Sequence, residues 1–282
     1  MIVGLKSILL AIIVIQIVAS RQLFSQISIA PVSLFIYDPI NVASLQILNG
    51  YDTPREISVD FKFGYLSSDS AGNQIMIYKD SLASSEFGLD KYLYAFPRKF
   101  VLPPGTSQIV RVQVRNFFEK PDGVYWSRVI ISSGEIIALA GKPLFSDNIE
   151  TKVNYIFDHN IAVFYRKGEV STKLVPEKVT TKVKDGKLQI LACLSKEGNS
   201  PFNGSVEARL RNSDNREVAF YRQTTVVYFD LVQKIELELP GGTLPNGNYE
   251  LELVYQTKRQ DIASADLVQA DPVCHNVGVI IE

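Results

Sequence analysis

The segment LYAFPRKFVLPPGTSQIVRVQVRN, residues 93–116, continues as FFEKPDGVYWSRVIISS, residues 117–133, and is the most informative part of the chain for the fold. Pro103, Pro104 and Gly105 end one extended run, because proline presets a turn and glycine accepts a positive φ. Beyond this turn, valines alternate with other side chains over residues 109–115, which is the period of a half-buried strand. A second turn at 121–123 precedes an aromatic strand. The segment therefore predicts β-strands joined by fixed turns.

The same pattern recurs along the rest of the chain. Apolar side chains alternate with polar ones over residues 57–63, and an Asp-Gly turn at 185–186 separates strand candidates at 179–184 and 187–194. No segment before residue 170 has convincing helical periodicity, and residues 67–90 read as a long surface connection around a short strand. A chain of 282 residues suits two domains. We therefore predict an all-β protein with two immunoglobulin-like β-sandwich domains, at residues 27–167 and 168–282.

The amino terminus has the composition of a secretory signal peptide. Lys6 precedes an apolar run at residues 8–19, and small and polar residues follow through Gln26. This run is shorter than the roughly 20 residues that cross a bilayer as a helix, so cleavage is favoured over an uncleaved anchor. We predict that residues 1–26 are removed and that the exported mature chain has no membrane span.

Composition argues against several function classes. The formal net charge is −1 with both signs scattered, so there is no basic field to hold nucleic acid. His159 and His275 are the only histidines, and no nucleophile motif, metal-ligand spacing or Gly-rich phosphate loop accompanies them. We predict a protein that is not an enzyme and that uses no metal or cofactor.

Cys193 and Cys274 are the only cysteines. Disulfides persist in exported proteins, and a bond here would close a loop of about 80 residues and contribute a few kcal/mol. Two buried thiols are the alternative, because cysteine packs as a small hydrophobic side chain. The sequence leaves both alternatives open.

The order of strands and turns between residues 93 and 133 resembles the first domain of the periplasmic pilus (fimbrial) assembly chaperones. The resemblance covers residues 27–166 in pattern, whereas the second half fits the family in class only. Members of this family have two immunoglobulin-like domains, hold pilus subunits in the periplasm, and lend each subunit a strand. The resemblance implies a periplasmic chaperone that binds a subunit of a surface appendage by β-strand addition during assembly. The alternative is a structural or adhesive cell-surface protein that uses the same fold without chaperone activity.

The resemblance also implies a partner-binding strand at residues 151–165. Val153, Tyr155 and Phe157 share one face there by alternation. They align with family residues that fill a groove in an incomplete subunit, ahead of a segment resembling residues 161–166. The same alternation is expected of a strand that faces its own core, so two interpretations of these side chains remain.

Two further sets of positions follow from the alignment with the family. Arg166 and Asp122 align with charged residues at the interdomain hinge, which implies an ion pair there. Ser33 and Ala162 align with two basic residues that anchor the terminal carboxylate of the subunit. Neither side chain can supply charge-assisted hydrogen bonds to a carboxylate, and this departure favours the structural or adhesive alternative.

Overall fold

The computed structural model describes residues 26–136 and 155–281, which contain eighteen β-strands and one α-helix. The predicted signal peptide lies outside the described residues apart from Gln26. Within the described ranges, no helix has both the length and the apolar character needed to cross a membrane. The elements are β1 (Ile27–Ala30), β2 (Ser33–Tyr37), β3 (Val42–Asn49), β4 (Arg55–Lys62), β5 (Tyr65–Ser68), β6 (Gln74–Ile77), α1 (Ser81–Phe87), β7 (Leu93–Phe96), β8 (Lys99–Leu102), β9 (Ser107–Val114), β10 (Gly123–Glu135), β11 (Ile156–Lys167), β12 (Lys173–Lys184), β13 (Lys187–Glu197), β14 (Phe202–Arg211), β15 (Glu217–Val227), β16 (Leu231–Glu238), β17 (Gly247–Gln256) and β18 (Val273–Ile281).

The first sandwich packs a sheet of order β1-β3-β9-β7 against a sheet of order β2-β11-β10-β4-β8. Strand β2 pairs with β11 in parallel, and the other ladders of these two sheets are antiparallel. The alternation at residues 109–115 places Val110, Val112 and Val114 in the core between the sheets. The run before the Pro-Pro-Gly turn forms two strands, β7 and β8, in different sheets. Pro97 lies between them and has no N–H with which to continue a ladder.

The second sandwich packs a sheet of order β12-β13-β16 against a sheet of order β15-β14-β17-β18. The Asp-Gly turn is confirmed, because Lys184 and Lys187 face each other across it. Asp185 has φ 51° and Gly186 has φ 75°, as expected for a type I′ turn. The prediction of an all-β fold with two immunoglobulin-like sandwiches is confirmed.

Both cysteines are free, so the disulfide alternative is wrong for this structure. Cys193 lies on β13 between the buried Ala192 and Leu194, and its side chain therefore points away from the core. Cys274 is exposed on β18, in the opposite sheet. Packed sheets lie about 10 Å apart, so two thiols on opposite outer faces cannot meet.

One short helix lies before residue 170, where the sequence shows no convincing helical periodicity. Helix α1 has only seven residues, which is too short for the apolar period to be recognised. A usable signal is Asp80, whose carboxylate accepts a hydrogen bond of 2.9 Å from the backbone N–H of Ala83 as an N-cap. Just before this helix, β5 and β6 form a separate two-stranded hairpin in the stretch that we interpreted as a surface connection.

Candidate functional site

Strand β11 has one sheet edge that is only partly paired. On one side, β10 pairs with it along its whole length, from Lys167 to Ile156. On the other side, β2 pairs only with residues 162–166. Within the described residues, positions 156–161 therefore have no ladder partner on this second side. An unpaired edge exposes backbone N–H and C=O groups that can pair with another chain.

Aromatic side chains extend past the core at the open end of β11. Ile161, Val163 and Tyr165 face the interior of the first sandwich. Phe157 and Tyr155 continue the same alternation, yet they are 49% and 65% exposed. Their rings stack with centroids 6.4 Å apart. Tyr155 and Phe157, two of the three predicted partner-binding side chains, thus lie on the face of β11 that points to the core, but they remain exposed among the described residues. Val153 lies outside the described residues.

Polar side chains on the other face hold this part of β11 in place. The Ser132 hydroxyl on β10 donates a 2.6 Å hydrogen bond to the Asp158 carboxylate. The Asn160 amide donates to the Tyr78 hydroxyl, just after the β5–β6 hairpin. Because both contacts come from within the first sandwich, the edge is presented as an extended strand before any partner arrives.

The structure does not bring Arg166 and Asp122 together. The Arg166 guanidinium donates a 3.3 Å hydrogen bond to the backbone oxygen of Asp266. It also lies 5.3 Å from the centre of the Tyr37 ring. The Tyr37 hydroxyl donates a hydrogen bond to the Asp266 carboxylate. The pKa of Tyr37 is raised mainly by burial and, to a smaller extent, by this hydrogen bond. Arg166 therefore contacts the second sandwich through a residue 100 positions further along the chain, which nothing in the sequence pattern links to it.

Asp122 holds the connection between the sandwiches instead. Its carboxylate accepts a 3.1 Å hydrogen bond from the backbone N–H of Glu169, and its backbone oxygen accepts one of 3.1 Å from the Asn199 amide. Gly168 has φ +59°, and a Cβ there would lie 2.1 Å from this carboxylate. The connection thus requires a glycine, both for its conformation and for the close approach of Asp122.

An aromatic cluster that the sequence analysis missed joins the two sandwiches. Trp126 on β10 is 1% exposed and lies on the outer face of its sheet. Its ring centre lies 4.8 Å from that of Phe87 in α1, 5.1 Å from that of Tyr228 and 5.8 Å from that of Phe229, the last two from the second sandwich. Phe164, opposite Trp126 on β11, stacks on Tyr228 at 6.2 Å. The sequence did contain one signal for this cluster, namely the alternation of side chains along each strand. Trp126 and Phe164 occupy outward-facing positions, where a solvated strand carries polar side chains.

The β5–β6 hairpin forms a second connection to the other sandwich. The Ser68 hydroxyl accepts a 2.7 Å hydrogen bond from the backbone N–H of Val232 on β16. At the turn of the hairpin, Gly72 has φ +78°, and a Cβ there would lie 2.7 Å from the Lys234 Cβ and 3.1 Å from a Leu191 methyl carbon. The hairpin therefore lies flat on the second sandwich with no room for a side chain at its turn.

Ser33 and Ala162 are neighbours in the structure. They are Cα partners in the β2–β11 ladder, as expected for two positions that line one site. The same cross-strand row continues to Arg128 on β10 and Lys62 on β4. The cations of this row thus lie on β10 and β4 rather than on β2 and β11. Arg128 donates a 3.2 Å hydrogen bond to the Tyr228 hydroxyl, and the Lys62 ammonium lies 4.4 Å from the centre of the Tyr78 ring.

No protein-family model matches this sequence, and no curated protein sequence matches it. Solved structures do show a likeness. The YadV chaperone has a TM-score of 0.44 at 9% identity, over 90% of this chain and 99% of that chain. The class 5 fimbriae chaperone CfaA has a TM-score of 0.42 at 14% identity, over 89% and 98%. A structure of the Salmonella enterica SafA pilin in complex with the SafB chaperone has a TM-score of 0.41 at 11% identity, over 89% and 96%.

Proposed function

We propose that this protein is a non-enzymatic, exported chaperone-like protein that binds a subunit of a surface appendage by β-strand addition. Residues 27–167 would form the binding domain and residues 168–282 the second domain, after removal of residues 1–26 on export to the periplasm. The observation that carries the proposal is the edge of β11 at residues 156–161, which has no ladder partner among the described residues and lies beside the exposed rings of Tyr155 and Phe157.

Strand addition uses this edge in two ways. Main-chain hydrogen bonds to the partner strand supply affinity, and alternate side chains that enter a groove of the partner supply selectivity. An aromatic side chain contributes 150–250 Å² of contact area, and about half of that is still exposed at Phe157. Covering roughly 100 Å² is worth about 2–3 kcal/mol, or about 30- to 150-fold in the dissociation constant.

Co-purification from a periplasmic extract tests the proposal. The tagged mature chain should recover a β-rich appendage subunit, and Tyr155→Asp and Phe157→Asp should each abolish this recovery, because a carboxylate cannot enter an apolar groove without a large desolvation cost. Phe118→Asp is the matched control, since Phe118 is also highly exposed but lies in the loop before β10. Unchanged recovery of the subunit with Tyr155→Asp would refute strand addition at this edge.

A structural or adhesive surface protein is the second candidate function. The Ser33–Ala162 pair favours it, because these adjacent positions carry no charge with which to anchor a carboxylate. Cell fractionation separates the two functions. A chaperone stays in the soluble periplasmic fraction, whereas a structural component is recovered with the cell surface.

A further inference from the structure

A polar cleft lies between strands β15 and β16, which are edge strands of the two sheets of the second sandwich. Its volume is about 290 Å³, and Gly72 at the turn of the β5–β6 hairpin forms part of its wall. We call it the β15–β16 cleft and define it by its polar lining side chains, which are Gln74, Tyr221, Gln223, Gln233, Lys234 and Glu236. Small-molecule sites span roughly 300–1,000 Å³, so the size of this cleft suits a ligand of about one ring.

The cleft is polar at positions where a sandwich strand normally carries apolar side chains. On β16, Gln233 lies between the inward-facing Leu231 and Ile235 and is only 5% exposed. On β15, Gln223 and Tyr221 occupy inward-facing positions of the same alternation, toward the opening of the sandwich. Burying a polar side chain costs free energy unless hydrogen bonds compensate for the lost water. These side chains therefore require partners that an apolar core does not supply.

Hydrogen bonds within the protein satisfy only part of this lining. The Gln233 amide donates a 2.7 Å hydrogen bond to the Thr225 hydroxyl, and the Gln223 amide donates one of 3.3 Å to the backbone oxygen of Lys234. The side-chain oxygen of Gln233 is buried and has no hydrogen-bond partner among the described residues. A buried acceptor that stays unpaired keeps the full cost of its desolvation. The cleft therefore favours a ligand that donates a hydrogen bond to Gln233.

The charged side chains of the cleft neutralise each other. Lys234 and Glu236 are the charged members of its lining, and the Lys234 ammonium lies 2.7 Å from the Glu236 carboxylate. The hydrogen bond from Lys234 lowers the pKa of the Glu236 carboxyl, which keeps this pair ionised. A charged ligand would compete with the pair, whereas a neutral ligand leaves it intact.

We propose that the β15–β16 cleft binds a neutral sugar ring. A hydroxyl group both donates and accepts hydrogen bonds, so adjacent hydroxyls can satisfy the Gln233 oxygen and bond to the Gln223 amide. The Tyr221 ring is 39% exposed and borders the cleft, where it offers an apolar surface to the C–H groups of a sugar. The Gln74 amide supplies a further donor and acceptor from the hairpin. A few convergent polar groups beside one aromatic ring are what fixes the orientation of a small polar ligand.

This site is separate from the edge of β11. The residues that line the cleft belong to the second sandwich and to the β5–β6 hairpin, and none belongs to β11. The inference therefore does not depend on the proposed function, since a chaperone or a surface protein could carry this site. Because the hairpin and the second sandwich both line the cleft, a bound ring would also add contacts between them.

Saturation-transfer NMR with the mature chain tests the site. The neutral probes are glucose, galactose, mannose and N-acetylglucosamine, and the charged probes are glucuronate and glucosamine. At least one neutral sugar should bind with a dissociation constant of about 1 mM or lower, and each charged probe should bind at least about tenfold more weakly than the best neutral sugar. Gln233→Leu removes the unpaired acceptor and keeps a similar shape, so it should weaken binding about tenfold or more. Tyr221→Ala should weaken binding about fivefold or more, and its partial exposure means that the fold should tolerate it.

Thr224→Ala is the matched control, because Thr224 lies between Gln223 and Thr225 on β15 but is exposed on the outer face of its sheet. It should leave sugar binding unchanged. Tyr221→Ala decides the outcome if Gln233→Leu does not fold. The proposal is overturned if no neutral sugar binds, if the charged probes bind as tightly as the neutral ones, or if free glutamine binds more tightly than any sugar. It is also overturned if Tyr221→Ala binds the sugar as tightly as Thr224→Ala does.

Discussion

Tyr228 is the side chain of the second sandwich whose loss should most clearly loosen the junction. It is buried, and its ring packs against Trp126 and Phe164 of the first sandwich. Replacing a buried aromatic residue by alanine typically costs about 3–5 kcal/mol, from lost burial and from the cavity that remains. Tyr228→Ala should therefore lower the free energy of unfolding by that amount. Tyr228→Phe keeps the ring and removes only the acceptor of the Arg128 bond, so we expect a loss of about 1 kcal/mol.

The protein carries its own reporter for this experiment, because Trp126 is its single tryptophan. Its emission in the folded wild type should be that of an indole shielded from water. In Tyr228→Ala the emission maximum should shift to longer wavelength before the denaturant transition, since water then reaches the indole. Tyr221→Ala removes a partly exposed tyrosine from β15 of the same sandwich and should change stability by no more than about 0.5 kcal/mol. An unchanged emission maximum and urea midpoint in Tyr228→Ala would refute the view that this cluster joins the sandwiches.

Gly72→Ala should lower the free energy of unfolding in urea by about 2–4 kcal/mol, because the added Cβ would contact the second sandwich and the residue has a positive φ. Gly105 has a similar φ but open space around it, so Gly105→Ala should lower the free energy of unfolding by only about 1 kcal/mol. Equal losses in the two variants would contradict the close contact at Gly72. Burial, and then the hydrogen bond to the Asp80 carboxylate, raise the pKa of Tyr65 from 10.0 to about 12. The neutral phenol is thus favoured in the fold, so its stabilising effect is complete below pH 10 and is lost as the pH rises to about 12. Tyr65→Phe should therefore lose less stability over that pH range in urea titrations, and an identical slope would contradict this. Ellman's reagent should find two thiols in the folded, unreduced protein, with Cys274 reacting before Cys193, whereas a disulfide would leave none.

The two-sandwich fold could be predicted from the sequence because it depends on local signals. Alternation at residues 109–115 places valines in the core wherever the strand lies, and the Asp-Gly pair at 185–186 defines its turn by itself. Strand β18 and helix α1 lacked such signals. The first carries His275 at an inward-facing position and the apolar Cys274 and Ile280 at exposed ones, so its alternation is unclear. The second is too short to show a period.

The junction between the sandwiches could not be predicted in the same way. Trp126 and Phe164 read as ordinary strand aromatics until Tyr228 is placed over them by a separate fold. The contact between Arg166 and Asp266 likewise joins residues 100 positions apart, and only the packing of two complete sandwiches brings them together. The predicted ion pair between Arg166 and Asp122 joins positions near the same ends of β10 and β11. The Asp122 carboxylate instead accepts a hydrogen bond from the backbone N–H of Glu169, in the connection between the sandwiches.

The candidate site shows why alternation alone could not decide between a core strand and a partner-binding strand. By alternation, Tyr155 and Phe157 lie on the face of β11 that points to the core. Whether other side chains cover them depends on how far β2 runs beside β11. Pro31 sets that limit, because proline cannot donate to a ladder and the chain changes sheets around it. Residues before Pro31 pair with β3 in one sheet, and residues from Ser33 pair with β11 in the other. Among the residues that the structure describes, the open edge at 156–161 is therefore a consequence of where the amino-terminal strand crosses between sheets, which is a long-range property that β11 does not encode.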